Sequence, residues 1–295
     1  MLKGRTRHID LTVPTGWNQC STEQLEQIAR ILLRQTASQD RYHPYDATRF
    51  KAECFFLLSG LKVISQQDVS ADGQQDDAGP DTVFTVRKDR DEPFEIRVWE
   101  VGSFVDAHLK WLDSFTGLWL FPYPKFGHYW TCDLHFPFLH RKALEGPAPL
   151  LDGLTWRQYR FANEWIGCYV QGESGEARNG FLKALFGCID MKGCPRRLKR
   201  MRPEQFQLCL IWWQSMMAEM QKKYRRCFKT SKTTAQQQST PIDLYTRSTA
   251  TLQDKYHLTE DEINRQPCRV ILQHLEDMSR EAEEMEKIRK KSKHK

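Results

Sequence analysis

The stretch LQDKYHLTEDEINRQPCRVILQHLEDMSREAEEMEKIRKKSKHK, residues 252–295, contains the clearest structural signals of this chain. Thr259, followed three residues later by Glu262, has the pattern of a capping box, which begins a helix. Pro267 is a residue that helices tolerate in their first turn. The apolar residues after it recur every three or four positions: Ile271, Leu275, Met278, Ala282, Met285 and Ile288. This spacing predicts a long amphipathic helix that begins near Pro267.

The apolar stripe of this last helix is shorter than the three to four heptads of an autonomous coiled coil. It therefore favours docking on another helix, either in this chain or in a partner. We predict that a protein partner contacts Ile271, Leu275, Met278 and Met285. The basic end, residues 287–295, also has the composition of a localisation or nucleic-acid segment. We favour a helix end, because cations interact well with the C-terminal dipole of a helix.

A polar segment, KTSKTTAQQQSTP at residues 229–241, precedes this terminal region. Its composition is typical of a flexible linker. We therefore predict a mainly helical domain over residues 1–228 and a C-terminal helical docking segment over residues 242–295.

Helical patterns dominate residues 1–228, with one small β insertion. Residues 65–81 are almost devoid of apolar side chains and predict a mobile loop. Alternating runs at 83–86 and 94–99 then predict a β-hairpin over residues 83–99. Helix starts are predicted at Ser21 or Thr22, near Thr48, at Thr155 and at Pro203. The predicted fold class is mainly α, with a β-hairpin insertion and a C-terminal helical segment behind a linker.

The aromatic, proline-interrupted segment at residues 111–140 contains a candidate metal site. His128, Cys132, His135 and His140 lie close together there, and these residue types bind zinc. Their spacing matches no common ligand pattern, and aromatic residues surround them. We favour aromatic packing over a metal site, and the sequence predicts no cofactor.

A basic run, KGCPRRLKRMR at residues 192–202, is the candidate nucleic-acid site. Its cations would neutralise phosphates and release counterions. The alternative, a solvated connector between two helices, is favoured because most charge runs have that role. The candidate contact residues are Arg196, Arg197, Lys199, Arg200 and Arg202.

The composition and the absence of several motifs limit the compartment and the class of protein that the sequence is compatible with. The nine cysteines are an odd number with no C-x-x-C pair, which favours a reducing compartment and predicts a cytoplasmic protein. No stretch has the length and apolar content of a secretory signal or a membrane span. The net charge of +6 permits nucleic-acid contact without requiring it. Nucleophile-elbow, phosphate-loop, dinucleotide and H-E-x-x-H motifs are absent, so no enzymatic activity is predicted.

Three stretches, residues 12–63, 154–169 and 256–285, carry a resemblance to a known group. The second of them, for example, reads LTWRQYRFANEWIGCY. They resemble uncharacterised proteins encoded in prophage-like and conjugative regions of Bacteroidota. The resemblance implies a phage-related role among genes for tail assembly, where helical chaperones hold the tape-measure protein. This chain differs from such chaperones in its length, its hairpin region and its aromatic segment.

We thus expect a non-enzymatic interaction or assembly factor of a prophage-like element, with a phage structural or tape-measure protein as partner. The alternative is a nucleic-acid-associated protein of a mobile element that uses residues 192–202. A third interpretation is an enzyme or metal protein centred on residues 111–140.

Overall fold

The computed structural model describes residues 11–37, 46–69, 81–115, 117–118, 129–133, 140–144, 146, 148–172, 174–228 and 241–293. Helices prevail in these ranges, beside a three-stranded antiparallel sheet and a two-stranded one. The predicted mainly α fold class is therefore confirmed. The chain divides into two compact units, Met1–Leu118 with Pro203–Ile211 and Trp119–Arg202 with Trp212–Lys295.

Two helices open the first unit, α1 over Thr22–Ala37 and α2 over Ala47–Ser59. The Ser21 hydroxyl accepts the Gln24 N–H at 3.1 Å, and the Gln24 side chain accepts the Ser21 N–H at 2.8 Å. This reciprocal pair is the predicted start of α1. Gly60 ends α2 with a φ of +73°, a left-handed conformation that favours glycine.

The sheet of the first unit is formed by β1 over Leu61–Val69, β2 over Asp81–Lys88 and β3 over Phe94–Arg97, in that order. Part of the predicted loop at 65–81 is therefore wrong, because residues 65–69 pair with β2 and Asp81 is the first residue of β2. Their polar side chains suit an edge strand, whose outer side faces water. The rest of that loop, residues 70–80, lies outside the described residues.

The hairpin also ends earlier than predicted, at Arg97 instead of residue 99. Helix α3, Val98–His108, begins immediately after it. The Glu100 side chain accepts the Arg97 N–H at 2.8 Å, so a local capping contact ends the strand and begins the helix.

The second unit is mainly helical. Its two-stranded sheet pairs β4 over Tyr129–Asp133 with β5 over His140–Leu144. The helices that follow are α4 Trp156–Val170, α5 Ser174–Leu185, α6 Arg196–Lys199, α7 Pro203–Lys223, α8 Pro241–Tyr256, α9 Glu260–Arg265 and α10 Cys268–Lys293. Helix α7 starts in the first unit and continues in the second.

The predicted helix starts of this region are confirmed. Thr155 and Thr259 each accept a backbone N–H three residues ahead, and the side chains of Gln158 and Glu262 complete the two capping boxes. Pro203 is the first residue of α7. These signals were readable because each depends on residues within one helical turn.

The C-terminal segment belongs to the second unit, contrary to the predicted boundary at residues 229–241. The Trp156 N–H donates to the Gln266 carbonyl at 2.9 Å, and the Cys268 N–H donates to the Leu154 carbonyl at 2.8 Å. These two bonds join the starts of α4 and α10. Residues 229–240 lie outside the described residues, and Pro241 is already the first residue of α8.

Aromatic rings from α4, α7 and α8 form the centre of the second unit. Tyr159 lies 5.3 Å from Trp156, 5.8 Å from Tyr245 and 6.0 Å from Trp213 between ring centroids. All four side chains are buried. Burial of such large rings dominates the energetics of a core, so α8 is part of this core.

Candidate ligand pocket and the predicted site residues

The predicted partner stripe on α10 divides into a buried part and an exposed part. Ile271 is 2% exposed and Leu275 is 9% exposed, whereas Met285 is 68% exposed. Met278 is half-buried. Ile271 and Leu275 therefore belong to the core of the second unit and offer no surface to a partner, because α10 packs against α4.

A buried carboxylate that the sequence did not reveal holds α10 in place. The Glu276 side chain accepts the backbone N–H groups of Arg226 and Cys227 at 2.8 and 2.9 Å. The Arg226 guanidinium bonds Glu276 at 3.1 Å and Glu283 at 3.2 Å. The two glutamates are seven residues apart, so one side of α10 presents both to Arg226.

The candidate metal residues are only partly within the described residues. His128 and His135 lie outside them. Cys132 and His140 are in β4 and β5, where Cys132 is opposite Arg141 and His140 is opposite Asp133, but their side chains are not among those described. Elsewhere in the described part of the chain, no group of three or more potential ligands could hold a metal ion. The zinc site stays a prediction.

The basic run forms a short, anchored connector between α5 and α7. Two apolar residues of this connector, Leu198 and Met201, are buried. Its cations Arg196, Lys199, Arg200 and Arg202 are exposed, and the side chain of Arg197 is outside the described set. Two apolar anchors thus hold the connector to the unit while the basic side chains point to solvent.

A cavity of about 320 Å³ opens beside this connector. Helix α4 contributes Phe161 and Trp165, which are one helical turn apart. Helix α5 contributes Asn179 and Lys183, and the connector contributes residues at one side of the cavity. The remaining lining residues are Glu176, Gly180, Ile189, Gly193, Cys194 and Lys199. The cavity therefore combines aromatic walls with basic groups.

The aromatic wall depends on a glycine. A Cβ atom added to Gly180 would overlap the indole ring of Trp165. The absence of a side chain lets the indole lie directly against the backbone of α5. Phe161 lies next to it, with the guanidinium carbons of Arg157 and Arg160 at 5.8 and 5.7 Å from its ring centroid. Such cations over an aromatic face are favourable.

The charges around the cavity are mainly positive. The Lys183 ammonium donates to the Met191 carbonyl at 2.7 Å, which fixes its position. Asp190, an acid just before the connector, is already paired with Arg157 at 2.8 Å. Four connector cations make no ion pair with any residue that the structure describes: Lys192, Arg196, Lys199 and Arg200. Their charge is available to an anionic ligand.

The cysteine of the cavity is not activated for chemistry. Burial raises the pKa of the Cys194 thiol, and the opposing effect of Lys199, Lys183 and Arg178 does not cancel it. A thiol with a raised pKa is protonated at neutral pH and is a poor nucleophile. The described lining also contains no histidine that could act as a base. Cys194 is therefore not an activated nucleophile.

The basic run is visible in the sequence, but the cavity beside it is not, because its lining residues come from separate segments of the chain. Gly180, within a helix that it weakens, was the available signal, since such a glycine often marks a close backbone approach.

No protein-family model, curated protein or solved structure matches this chain. None of the described helices combines the length and the apolar content that a membrane crossing requires.

Proposed function

We propose that this chain binds single-stranded nucleic acid, with one base in the cavity and neighbouring phosphates on the basic connector. The observation that supports this function is an aromatic-walled cavity lined by Lys199, with three more cations that make no ion pair among the described residues, Lys192, Arg196 and Arg200, in the same short connector. Proteins that bind single strands combine these two features, because bases stack on aromatic faces while cations follow the backbone.

The cavity favours a single strand over a duplex. Its volume of about 320 Å³ is at the lower end for small-molecule pockets and suits one unstacked base. Stacking on Phe161 or Trp165 would not discriminate strongly between bases, since every base has a π-face. Asn179, also in the lining, supplies a donor and an acceptor for a base edge.

The connector supplies the electrostatic part of the affinity. Each cation that neutralises a phosphate releases counterions, so affinity decreases as salt increases. Arg196, Lys199 and Arg200 are exposed and lie within one short segment, as a backbone-following contact requires.

The proposal is tested by fluorescence anisotropy with a labelled oligothymidine of about 15 nucleotides, a length that matches common site sizes. A triple variant with Arg196→Ala, Lys199→Ala and Arg200→Ala should bind more weakly. It should also reduce the slope of log affinity against log salt by about 2, because each phosphate contact on a single strand contributes about 0.7.

The matched control removes three exposed cations from the sheet of the first unit and its β2–β3 turn, with Lys62→Ala, Arg87→Ala and Arg90→Ala. It changes net charge equally and should leave most of the affinity. Equal losses in both triple variants, or a wild-type affinity that does not respond to salt, would exclude this function.

A second candidate is the assembly factor of a prophage-like element that the sequence resemblance implies. The exposed Met285 near the end of α10 favours it, because apolar side chains in that position suit a helical partner. Binding of a purified tape-measure helical segment, lost on Met285→Asp, would support this candidate. Neighbouring tail genes would favour it, and neighbouring recombination or mobilisation genes would favour nucleic-acid binding.

We place either function in the cytoplasm. The eight cysteines whose side chains the structure describes form no disulfide bond, which is typical of a reducing compartment. Fractionation of the native host tests this placement directly.

A further inference from the structure

The last part of α10 is surrounded by solvent. From Arg280 to Ser292, every residue except the half-buried Glu283 is exposed. Two large apolar side chains lie within this part, Met285 at 68% exposure and Ile288 at 61%. Because they are three residues apart, they share one side of the helix.

The charges of this part change sign at one point. Residues 281–286 contain four glutamates and no cation, whereas residues 287–292 contain four cations and no acid. The reversal falls between Glu286 and Lys287, midway between Met285 and Ile288. The exposed segment therefore has an acidic half and a basic half, with one large apolar residue in each.

We infer that this segment binds the same segment of a second copy of the chain in an antiparallel helix pair. A two-fold axis between Glu286 and Lys287 would place Met285 against Ile288 of the second copy, and Ile288 against its Met285. The acidic half of each helix would then lie beside the basic half of the other. A parallel pair would instead place like charges together, which is unfavourable.

The charge order argues for a second copy over an unrelated protein. An unrelated helix would need the same apolar spacing with a reversed order of charges, whereas a second copy has both through the two-fold axis alone. Such closed two-fold dimers are the commonest symmetric assemblies.

Contacts within the second unit hold the base of the segment before any partner arrives. Arg226 bonds Glu283 at 3.2 Å, and Lys255 bonds Glu281 at 2.6 Å. A helix that is already ordered loses less conformational entropy on binding. The Glu286–Lys290 pair within the helix, at 2.7 Å, is exposed and contributes little that a second copy would have to replace.

Sedimentation equilibrium on the full-length chain tests the inference. The wild type should have an apparent molecular mass of twice the 34.8 kDa of one chain, and its association should weaken as salt increases. One variant carries Glu284→Lys with Glu286→Lys, and the other carries Arg289→Glu with Lys291→Glu. Each variant alone should associate at least about tenfold more weakly, since like charges then face each other.

An equimolar mixture of the two charge variants should restore the dimer, because the basic helix of one complements the acidic helix of the other. This restoration cannot come from altered folding of either chain, and far-UV circular dichroism checks that both variants keep their helices. Three results would overturn the inference: a wild type that stays monomeric at about 100 µM, charge variants that dimerise as well as the wild type, or a mixture that stays monomeric.

Discussion

Two sides of helix α4 carry aromatic residues, and the two sets differ in what covers them. Trp156 and Tyr159 are buried against rings from α7 and α8. Phe161 and Trp165 are half-buried and face a cavity. The helical period of 3.6 residues separates the two sets into different sides of one helix. The difference teaches that residue type alone does not decide whether an aromatic side chain stabilises a core or offers a binding surface.

The buried side of α4 also lies among polar groups whose burial is unfavourable. The indole N–H groups of Trp156 and Trp213 are buried without a hydrogen-bond partner among the described residues. Each such group costs about 1–3 kcal/mol. The area that these rings bury must offset that cost. The cavity side has no such requirement, because its rings remain accessible to water.

The largest expected effect is on the buried side. Replacing Trp156 with alanine should lower the free energy of unfolding of the second unit by about 3–5 kcal/mol, since it leaves a large cavity among packed rings. Urea denaturation followed by circular dichroism measures the loss. The exposed Trp99 is the control, and Trp99→Ala should cost less than about 0.5 kcal/mol. Similar losses in both variants would contradict the contrast between buried and exposed rings.

Helix α5 provides the next test, because its glycine supports the cavity side. Gly180→Ala should destabilise the protein by about 1–3 kcal/mol, since the added methyl group overlaps Trp165. Gly175→Ala in the same helix meets nothing within 4 Å, so it should stabilise by about 0.5 kcal/mol. Thermal denaturation compares the two variants. A stabilising effect at both positions would show that the indole does not depend on Gly180.

Trp165 itself should affect binding more than stability. Trp165→Ala should weaken oligothymidine binding by about 1–3 kcal/mol through the lost stacking. Trp165→Phe should retain much of the affinity, because it keeps an aromatic face. Anisotropy titrations at one fixed salt concentration provide the measurement. Unchanged affinity in the alanine variant would show that no base stacks on Trp165 in the cavity.

The smallest expected effect depends on pH and concerns the buried side. Burial raises the pKa of the Tyr245 hydroxyl. In the unfolded chain a tyrosine ionises near pH 10, so above that value the unfolded state releases a proton that the folded state retains. The stabilising contribution is therefore present at lower pH and is lost as pH rises.

Between pH 8 and about pH 10.5, Tyr245→Phe should lose about 1 kcal/mol less stability than the wild type. Urea denaturation at the two pH values measures this difference. Cys227, whose pKa burial raises to about 11, makes a similar loss in both proteins and cancels in the comparison. Parallel losses in the two proteins would mean that the Tyr245 hydroxyl ionises equally in both states.

The sequence predicted those features that depend on residues within one turn of each other. The capping boxes at Thr155 and Thr259 and the proline start of α7 are in place, because their hydrogen bonds are local. The loop prediction failed at residues 65–69 for the opposite reason. Those polar residues form a strand only because β2, from another part of the chain, pairs with them.

The α10 stripe shows the same limit within one helix. The predicted period of the stripe was correct, but periodicity does not show at which residue the stripe changes from buried to exposed. Ile271 is covered by the rest of the second unit, whereas Met285, two heptads further on, is exposed. The role of Glu276 could not be predicted from local sequence patterns. Its main partners, the backbone N–H groups of Arg226 and Cys227, lie 50 and 49 residues away in the chain.

Local patterns in the sequence show that this chain is mainly helical, where most of the described helices begin, and that cations are concentrated at residues 192–202. These follow from hydrogen bonds, periodicity and composition, which act over short distances along the chain. Tertiary packing was needed to show that Phe161 and Trp165 line a cavity beside the basic connector, and that the apolar stripe of α10 is half core and half surface. Burial depends on which segments of the chain pack together, and local sequence patterns do not contain that information.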